Sequence, residues 1–308
     1  MTFGRESDQA TAATIFARCR KAGINFLDTA DVYSGGRAEE IVGDLLQDCR
    51  DEWIISTKFQ AGTSDLPNDR GASRRYILKA VERSLRRLKT DRIEFYFLHN
   101  FDPHTDMEET VTAFDDLVRQ GKILYPAVSN FAAWQVMKGL GIADRRNLAR
   151  FECVQPMYSL VKRQAEVEFF PMAQSERLGV TTYSPIAAGL LTGKYAASQP
   201  PSQGRIIDNK FYAARYDSAD YLNIVEKFTN LCAGRGWSPV TVAVAWAASH
   251  PAVTSAIIGA RDISQLEPSL DALDFDMTSD LRDEITALAP TPALPTDRLD
   301  EQRGLFIH

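Results

Sequence analysis

Short β-rich runs alternate with amphipathic helical stretches along most of this 308-residue chain. Seven strand candidates are visible: GINFLDT from Gly23, WIISTKF from Trp53, RIEFYFLHN from Arg92, ILYPAVSN from Ile123, FECVQPMY from Phe151, VTTYSPI from Val180 and VTSAIIG from Val253. Helices are predicted over residues 37–50, 73–89 and 106–120, and another opens at Ser238-Pro239. This alternation, without a visible linker, favours an α/β fold of the (β/α)8 TIM barrel type over a doubly wound sheet.

Such a barrel predicts one domain over residues 1–308, with a C-terminal helix and tail at about 278–308. It also needs an eighth strand, because an open barrel would expose two long sheet edges. The chain opens MTFGRESDQATAATIFARCRKAG, which resembles the loop and helix that follow a first strand. We therefore expect Met1 to Gly4 to be that strand's tail, with the N-terminal hairpin and most of strand 1 absent from this chain. Either the native N-terminus lies upstream of Met1, or the chain was cut or numbered from an internal methionine.

The composition argues against several classes of protein. The chain is 44% hydrophobic and 25% charged, which suits a globular protein with a sizeable core. Its net charge of −6 gives no basic field for nucleic acid or anionic lipid. The four cysteines stand far apart, no apolar run approaches the roughly 20 residues of a membrane span, and no signal peptide is recognisable. We predict a cytoplasmic protein that binds neither nucleic acid nor membrane, and both a monomer and a homo-oligomer stay open.

Polar side chains collect where the predicted strands end. In barrels of this type, catalytic groups come from the carboxyl ends of the strands and the loops that follow them. The candidates at these positions are Asp28, Tyr33, Lys58, His99, Asn100, Ser129, Asn130, Gln155, Tyr183, Ser184, Gly259, Ala260 and Arg261. Asp28 and Tyr33 share no helix or strand face, so they converge only if Ser34-Gly35-Gly36 lets the chain turn back.

Four of these side chains together suggest proton transfer to a substrate oxygen. A lysine cation such as Lys58 favours a phenolate beside it, which eases proton donation by Tyr33. A buried lysine needs a counter-ion, and Asp28 on the neighbouring strand is the natural one. Neutral His99 can donate a hydrogen bond to a carbonyl oxygen. Asp31, by contrast, is expected to be solvated or to cap the loop.

Simpler interpretations compete with each assignment. A single strand-end acid, lysine or histidine is more often part of a structural pair, and Ser129-Asn130 alone is more often a turn or a helix cap. The basic run from Arg74 to Lys89 is predicted to be the solvated face of a helix. No G-x-G-x-x-G motif or phosphate loop is present, so neither a Rossmann fold nor a P-loop is predicted, and no G-x-S-x-G motif indicates a serine nucleophile. No histidine spacing typical of a metal site is present either, so no metal site is predicted.

The residues also resemble a known family. GINFLDTADVYSGG, ISTKF, FYFLHNFDP, AVSNF, VQPMYSL, VTTYSPIAAGLLTGKY and IIGARDISQLEPSL are similar, in order and spacing, to segments of the aldo-keto reductase superfamily, most of all to bacterial members and relatives of potassium-channel β-subunits. The resemblance extends from Thr2 to about Leu273. It implies a barrel that reduces carbonyls with NAD(P)H, and a catalytic tetrad of Asp28, Tyr33, Lys58 and His99.

The same resemblance implies a set of cofactor contacts. Ser129, Asn130 and Gln155 would hold the nicotinamide carboxamide, and Tyr183 would stack on the ring. The remaining implied contacts are Thr2, Phe3, Asp28, Ser184, Ile186, Gly189, Leu191, Lys194, Gly259, Arg261, Gln265 and Ser269. Arg205 is a further candidate for the cofactor phosphates, because it lies in a long loop that could close over the cofactor. Arg261 favours NADP(H) by its charge. Asp262, Pro268 and Ser269 depart from the family pattern near the adenosine end, which keeps NAD(H) possible.

Two functions are therefore open. The first is an NAD(P)H-dependent oxidoreductase that reduces an aldehyde or ketone to an alcohol by hydride transfer, with Tyr33 as proton donor. The second is a cofactor-binding, redox-sensing or regulatory subunit with slow turnover. For the first, Phe59, Gln60, Phe101, Phe131 and residues 203–221 are candidates to line a substrate pocket.

Overall fold

The computed structural model describes residues 1–62, 64, 66–195 and 201–296, so the predicted tail beyond residue 296 lies outside the described residues. The chain divides into two compact units. Unit 1 contains residues 1–156, 177–179 and 259–267, and unit 2 contains residues 157–176, 180–258 and 268–308. The single domain expected from the sequence stays a prediction.

Unit 1 alternates helices and strands from its first helix onward. Its elements are α1 (Gln9–Lys21), β1 (Phe26–Asp28), α2 (Arg37–Leu46), β2 (Ile54–Phe59), α3 (Arg74–Leu88), β3 (Ile93–Leu98), α4 (Met107–Arg119), β4 (Ile123–Ser129), α5 (Ala133–Arg146) and β5 (Cys153–Gln155). All neighbouring strands from β1 to β5 pair in parallel, with Asp28 opposite Ser56, Lys58 opposite Phe97 and Ser129 opposite Gln155. The predicted α/β class with parallel strands is confirmed.

Unit 2 is mostly helical around one short parallel pair. Its elements are α6 (Phe169–Ser175), β6 (Gly179–Thr182), α7 (Arg205–Asp208), α8 (Lys210–Arg215), α9 (Ala219–Gly234), α10 (Pro239–Ala248), β7 (Ser255–Ala256), α11 (Ile263–Leu270) and α12 (Ser279–Thr286). Both units contribute residues to β6 and α11. Strands β6 and β7 pair in parallel through Thr181–Ser255 and Thr182–Ala256. A strand therefore lies within each of the seven predicted runs.

The predicted helix boundaries carry the expected capping chemistry. Ser73 accepts a hydrogen bond from the backbone N–H of Tyr76 and so caps α3. Ser238 caps α10 in the same way, with Pro239 in the first turn, where no backbone donor is needed. Gly121 follows α4 with a φ of 70°, a left-handed conformation that glycine adopts without strain. Local sequence therefore determines where these helices begin and end.

Alternation along the strands separates two faces of the sheet in unit 1. One face, here called the inner face, carries Phe97, Ala127 and Cys153 as a packed apolar group. The opposite, outer face carries Phe59 and Tyr96, which stack on each other and contact Tyr76 of α3 and Phe114 of α4. The prediction that Phe59 lines a substrate pocket is therefore wrong, because its fully buried ring belongs to the layer between sheet and helices.

Helix α3 carries the basic run that the sequence places on a solvated face. Five of its seven basic side chains form ion pairs within unit 1: Arg74 with Asp116, Lys79 and Arg83 with Asp69, Arg87 with Glu39, and Lys89 with Asp44. Four of these pairs leave at least one partner about a quarter or more exposed, whereas Arg87–Glu39 is largely buried. Most side chains of the basic run are therefore neutralised by ion pairs within unit 1, and the run does not form a free cationic surface.

The segment before α1 forms a tight turn. Phe3 makes a single bridge to Ser7, and the backbone N–H of Gly4 donates to the Ser7 carbonyl at 2.8 Å. Among the described residues, this segment does not pair with any of the seven strands, so the predicted strand tail has no support there. No helix in the described part of the chain has both the length and the apolarity that crossing a membrane requires.

Candidate active site

Five strand-end positions share the inner face because side chains two residues apart on a strand point the same way. Each of four polar residues lies two positions after a residue on the inner face: Lys58 after Ser56, His99 after Phe97, Ser129 after Ala127, and Gln155 after Cys153. Asp28 completes the set through its register opposite Ser56. Strand geometry alone therefore brings these polar groups to one edge of one face in unit 1.

Asp28 and Lys58 form a buried ion pair, as the sequence predicts. Their Oδ2 and Nζ atoms lie 2.5 Å apart, and the side chains are 10% and 1% exposed. Lys58 also donates to the carbonyl oxygen of Thr29 at 2.9 Å. Burial lowers the pKa of Lys58, and the nearby Asp28 carboxylate opposes that shift. The pair therefore keeps a cation where an isolated lysine would lose its proton more easily.

Two further donors satisfy the other oxygen of Asp28. Ser56 Oγ donates to Oδ1 at 2.7 Å and Gln155 Nε2 donates to the same atom at 2.9 Å. We call Asp28, Ser56, Lys58 and Gln155 the lysine cluster. Sequence reasoning missed Ser56, although a buried strand that reads Ser-Thr-Lys, with three polar residues in succession, indicates polar partners on both faces.

Tyr33 reaches this cluster through a turn in the left-handed conformation. Ser34, Gly35 and Gly36 have φ values of 51°, 65° and 98°. The predicted turn is therefore present, and it also requires positive φ at a serine, which is uncommon. The Tyr33 ring lies with its centroid 5.4 Å from Lys58 Nζ and 5.9 Å from the His99 ring, in an edge-to-face arrangement. The structure thus brings Asp28, Tyr33, Lys58 and His99 together.

His99 is neutral over the physiological range. Burial, followed by the charge of Lys58, lowers its pKa to about 4. Its carbonyl oxygen accepts a hydrogen bond from Asn130 Nδ2 at 2.9 Å. Asn130 has a φ of 57°, and Ser129 Oγ donates to the Gln155 carbonyl at 2.8 Å. These contacts tie the ends of β3, β4 and β5 to one another beside Tyr33.

A second group of candidates surrounds the N-terminal turn in unit 1. Thr2 Oγ1 donates to the Ala260 carbonyl at 3.0 Å, and the Phe3 carbonyl accepts from Ser34 Oγ at 2.8 Å. Gln265 Oε1 accepts from the backbone N–H of Arg261 at 3.3 Å, after the exposed Gly259. Within the described residues the exposed guanidinium of Arg261 has no hydrogen-bond or ion-pair partner. It is therefore available to an anion.

Asp262, the departure from the family pattern, has a local role in the structure. Its Oδ1 accepts from Ser264 Oγ at 2.6 Å and from the backbone N–H of Gln265 at 3.0 Å. These hydrogen bonds, led by that from Ser264, lower its pKa. They satisfy donors at the start of α11, as a helix cap does. The carboxylate is therefore partly committed to its own helix.

The remaining candidates belong to unit 2. Ser184, Ala187, Ala188 and Gly189 all have positive φ, so the segment after β6 is tightly coiled. Leu191 is fully buried, Ile186 and Tyr183 are half-buried, and Ser269 is buried. Lys194 lies over the Tyr195 ring at 4.9 Å, and Arg205 lies over the Tyr212 ring at 5.6 Å. Leu191 therefore exposes no surface to a ligand in this structure.

The prediction that Asp31 is solvated is wrong. It is 1% exposed, Tyr76 Oη donates to its Oδ2 at 3.5 Å, and the neighbouring backbone N–H of Val32 lowers its pKa by hydrogen bonding, against the larger effect of burial. The Asp31 side chain interacts with Tyr76 of α3 and Glu39 of α2, which shows that it lies on the outer side of the sheet. Among the described residues no group of three or more histidine, cysteine or acidic side chains is placed to hold a metal ion.

Comparisons with known proteins show the family of this chain. The chain is 36% identical over 305 residues to a probable voltage-gated potassium channel subunit beta of Oryza sativa subsp. japonica, covering 96% of this chain and 93% of the relative. It is 34% identical over 305 residues to the uncharacterized oxidoreductase YrpG of Bacillus subtilis (strain 168), covering 95% and 91%. The model of the aldo/keto reductase family matches residues 1–290. The chain therefore belongs to the aldo/keto reductase family.

Proposed function

We propose that this protein is an NAD(P)H-dependent oxidoreductase that reduces an aldehyde or ketone to an alcohol, with Tyr33 as the proton donor. The observation that carries the proposal is the placement of the Tyr33 ring between the Lys58 cation, 5.4 Å from its centroid, and the His99 ring at 5.9 Å. Family membership supports oxidoreductase chemistry. No nucleophile or metal is needed for this assignment.

The roles of the four residues follow from their contacts. Tyr33 gives its proton to the substrate oxygen, and the phenolate that remains is stabilised by Lys58. Asp28 holds Lys58 in place at 2.5 Å and keeps it charged. His99 stays neutral because its pKa is about 4, so it donates a hydrogen bond and orients the carbonyl towards Tyr33.

The nicotinamide cofactor supplies the hydride when it is bound. The residues of unit 1 suit such a ligand, since Arg261 exposes a guanidinium without a partner among the described residues, beside Gln265. A guanidinium binds phosphate oxygens well, which favours NADP(H). The charge of Asp262 favours NAD(H), but only weakly, because its carboxylate already accepts hydrogen bonds from Ser264 and Gln265. The finer expectations of a (β/α)8 barrel and a cytoplasmic location form part of this proposal.

A regulatory role is the second candidate. Relatives from Oryza sativa subsp. japonica and Arabidopsis thaliana, 36% and 37% identical to this chain, are named as probable potassium channel β-subunits. A protein of this kind would bind the cofactor and turn over slowly. Because the same four residues serve both functions, the turnover rate with carbonyl substrates distinguishes them.

Replacing Tyr33 with phenylalanine tests the proposal. We expect Tyr33→Phe to lower kcat for carbonyl reduction by about 100-fold or more, because the general acid is lost, and to leave NADPH affinity nearly unchanged. The measurement follows oxidation of NADPH and NADH with a panel of aldehydes, ketones and keto-sugars. Tyr125→Phe is the matched control, since Tyr125 is an exposed tyrosine that packs on Phe95.

The outcomes separate the candidates. A Tyr33→Phe variant with the kcat of the wild-type protein rules out Tyr33 as the proton donor. A wild-type protein that binds NADPH tightly and reduces no carbonyl of the panel favours the regulatory candidate.

A further inference from the structure

The side chain of Asp31 is buried only two residues before Tyr33. Its backbone N–H donates to the carbonyl oxygen of Lys58 at 2.9 Å, at the end of β2. The main chain of Asp31 therefore contacts the strand that carries Lys58. The side chain, by contrast, extends to the outer side, where α2 and α3 pack.

The charges around Asp31 leave it without a cation of its own. Glu39 of α2 is 0% exposed and binds Arg87 Nε at 2.6 Å and Thr57 Oγ1 at 2.6 Å. The Arg87 guanidinium is therefore committed to Glu39. We call Asp31, Glu39, Thr57, Tyr76 and Arg87 the arginine cluster, which holds two acids and one cation.

Hydrogen bonding at the Asp31 carboxyl is also sparse. Oδ2 accepts one long bond from Tyr76 Oη at 3.5 Å, and Oδ1 has no hydrogen-bond partner among the described residues. An ionised carboxylate has about four lone-pair sites to satisfy, and leaving them unsatisfied in the interior is costly. The neutral acid leaves fewer lone-pair sites without a hydrogen bond, so this geometry favours the protonated form of Asp31.

Electrostatics agrees with the geometry. Burial, followed by the Glu39 charge, raises the pKa of Asp31 to about 7, although Arg87, the backbone N–H of Val32 and the Tyr76 hydroxyl oppose the shift. The other titratable or charged groups on packed elements are Tyr76 of α3, the Tyr96 phenol of β3 and Lys58 of β2. The Tyr96 hydroxyl, like Asp31 Oδ1, is buried and unpartnered within the described chain.

Several hydrogen bonds to backbone carbonyls hold the turn after Asp31. The backbone N–H of Tyr33 donates to the Ala30 carbonyl at 3.1 Å, that of Gly35 to the Val32 carbonyl at 3.2 Å, and Ser34 Oγ to the Phe3 carbonyl at 2.8 Å. Ser34 itself is in the left-handed region, which disfavours the turn. Of residues 31–35, Asp31 is the buried one, so its side chain anchors the start of the turn that carries Tyr33.

We propose that Asp31 is a positioning residue whose neutral carboxyl, buried against α2 and α3, anchors the turn that presents Tyr33, and that ionisation of this carboxyl loosens the turn. The proposal rests on the proposed role of Tyr33 as proton donor. It makes the reductase sensitive to pH through a group that contacts neither substrate nor cofactor.

The test compares the wild-type protein with Asp31→Asn, which has nearly the same shape and cannot ionise. We expect kcat for carbonyl reduction to fall in the wild-type protein as pH rises through about 7. The variant should lack this decline. Asp48→Asn is the matched control, because Asp48 is an exposed acid in the same unit, and it should retain the wild-type profile.

Stability provides a second readout, and its sign is fixed by linkage. An acid whose pKa is raised on folding binds a proton more tightly in the folded state, so the wild-type protein loses stability as pH rises. For Asp31 this loss runs from about pH 4, the ordinary aspartate pKa, to about pH 7 and then stops. The stability of Asp31→Asn relative to the wild-type protein should therefore increase across this window and stay constant above it.

His99 contributes with the opposite sign over nearly the same range. Its pKa is lowered on folding to about 4, so its contribution to stability is lost as pH falls below about 6.5. The two slopes partly cancel in the wild-type profile. Subtracting the wild-type curve from that of Asp31→Asn removes the His99 slope, because both proteins retain His99.

Hydrogen exchange separates failure of this inference from failure of the proposed function. Amides of residues 29–36 should exchange faster in the wild-type protein than in Asp31→Asn at pH 8, and equally at pH 5.5, whether or not any carbonyl is reduced. Identical exchange, stability and kcat profiles would overturn the inference. If Asp31→Asn does not fold, the side-chain carboxyl of wild-type Asp31 is titrated by carbon-13 NMR: a midpoint near 7 supports the inference, and one near 4 overturns it.

Discussion

The lysine and arginine clusters lie on opposite faces of β2, and each contains one acid from the segment that joins β1 to Tyr33. Asp28 has three donors to its oxygens, one of which is the Lys58 cation. Asp31 shares one cation with Glu39 and has one long hydrogen bond. Two carboxyl groups three positions apart in sequence therefore lie in different surroundings. Burial raises the pKa of Asp31 to about 7, because no cation of its own and few donors offset the loss of water.

The two clusters also have different proposed roles in the site. The lysine cluster touches the ring of Tyr33 through Lys58, so it acts on proton transfer directly. The arginine cluster is connected to Tyr33 through the turn at residues 31–36. Changes in the first should therefore affect catalysis, and changes in the second should affect stability and pH dependence.

Lys58→Met should give the largest effect. It leaves the buried Asp28 carboxylate without its cation, which typically costs about 3–5 kcal/mol of stability, and it removes the charge beside Tyr33. We expect kcat to fall by about 100-fold or more in the folded fraction. Urea denaturation and NADPH oxidation measure the two effects. Lys138→Met, the same change at an exposed position on α5, should alter neither.

If Lys58→Met retained most of the activity, the comparison would fail at its first step. The cation beside Tyr33 would then be structural, and the proposed role of the lysine cluster in proton transfer would be wrong.

Much of the first cluster could be predicted from the sequence, because it depends on local rules. Strand periodicity and strand order place Asp28, Lys58 and His99 on one face at one edge, and charge balance pairs Asp28 with Lys58. Helix boundaries at Ser73, Gly121 and Ser238 also follow from nearby residues. These features need no knowledge of how distant elements pack.

The arginine cluster was harder to predict from the sequence, since it forms only when α2 and α3 pack on the sheet. The burial of Asp31 depends on Tyr76, which lies 45 positions later. One signal was available: Glu39 lies on the same helical stripe as Val42 and Leu46, which are buried, and so it belongs on the covered face of α2. A buried acid at that position requires a basic partner, and Arg87 provides it.

Arg87→Met should give the second largest effect. It leaves Glu39 buried without a cation and next to Asp31, so we expect a loss of about 3 kcal/mol in the free energy of unfolding near neutral pH. The loss should be smaller at pH 5, where an acid can take up a proton. The kcat of the folded protein at pH 6 should stay within about tenfold of wild type, because Tyr33 and Lys58 are untouched.

Arg86→Met is the matched control for this prediction. Arg86 is the preceding residue, is exposed, and makes no ion pair within the described residues. Equal stability of the two variants in urea would mean that the Arg87–Glu39 pair contributes nothing to the free energy of unfolding, and the stabilising role given to the arginine cluster would then be wrong. A kcat that collapses with Arg87→Met would remove the distinction between the two clusters.

Removing one hydroxyl donor from each acid gives the smallest and most specific effect. Ser56→Ala takes away a 2.7 Å bond to Asp28, a charge-assisted contact, and should cost about 1.5 kcal/mol equally at pH 6 and pH 8. Tyr76→Phe takes away a 3.5 Å bond to Asp31 and should cost about 0.5 kcal/mol at pH 6, where the acid is neutral. At pH 8 its cost should rise, because ionised Asp31 then loses the donor bonded to its side chain. Unfolding in urea at both pH values measures all four quantities. A Tyr76→Phe cost that is the same at pH 6 and pH 8 would mean that the charge on Asp31 does not change between them, and the contrast between the two acids would disappear.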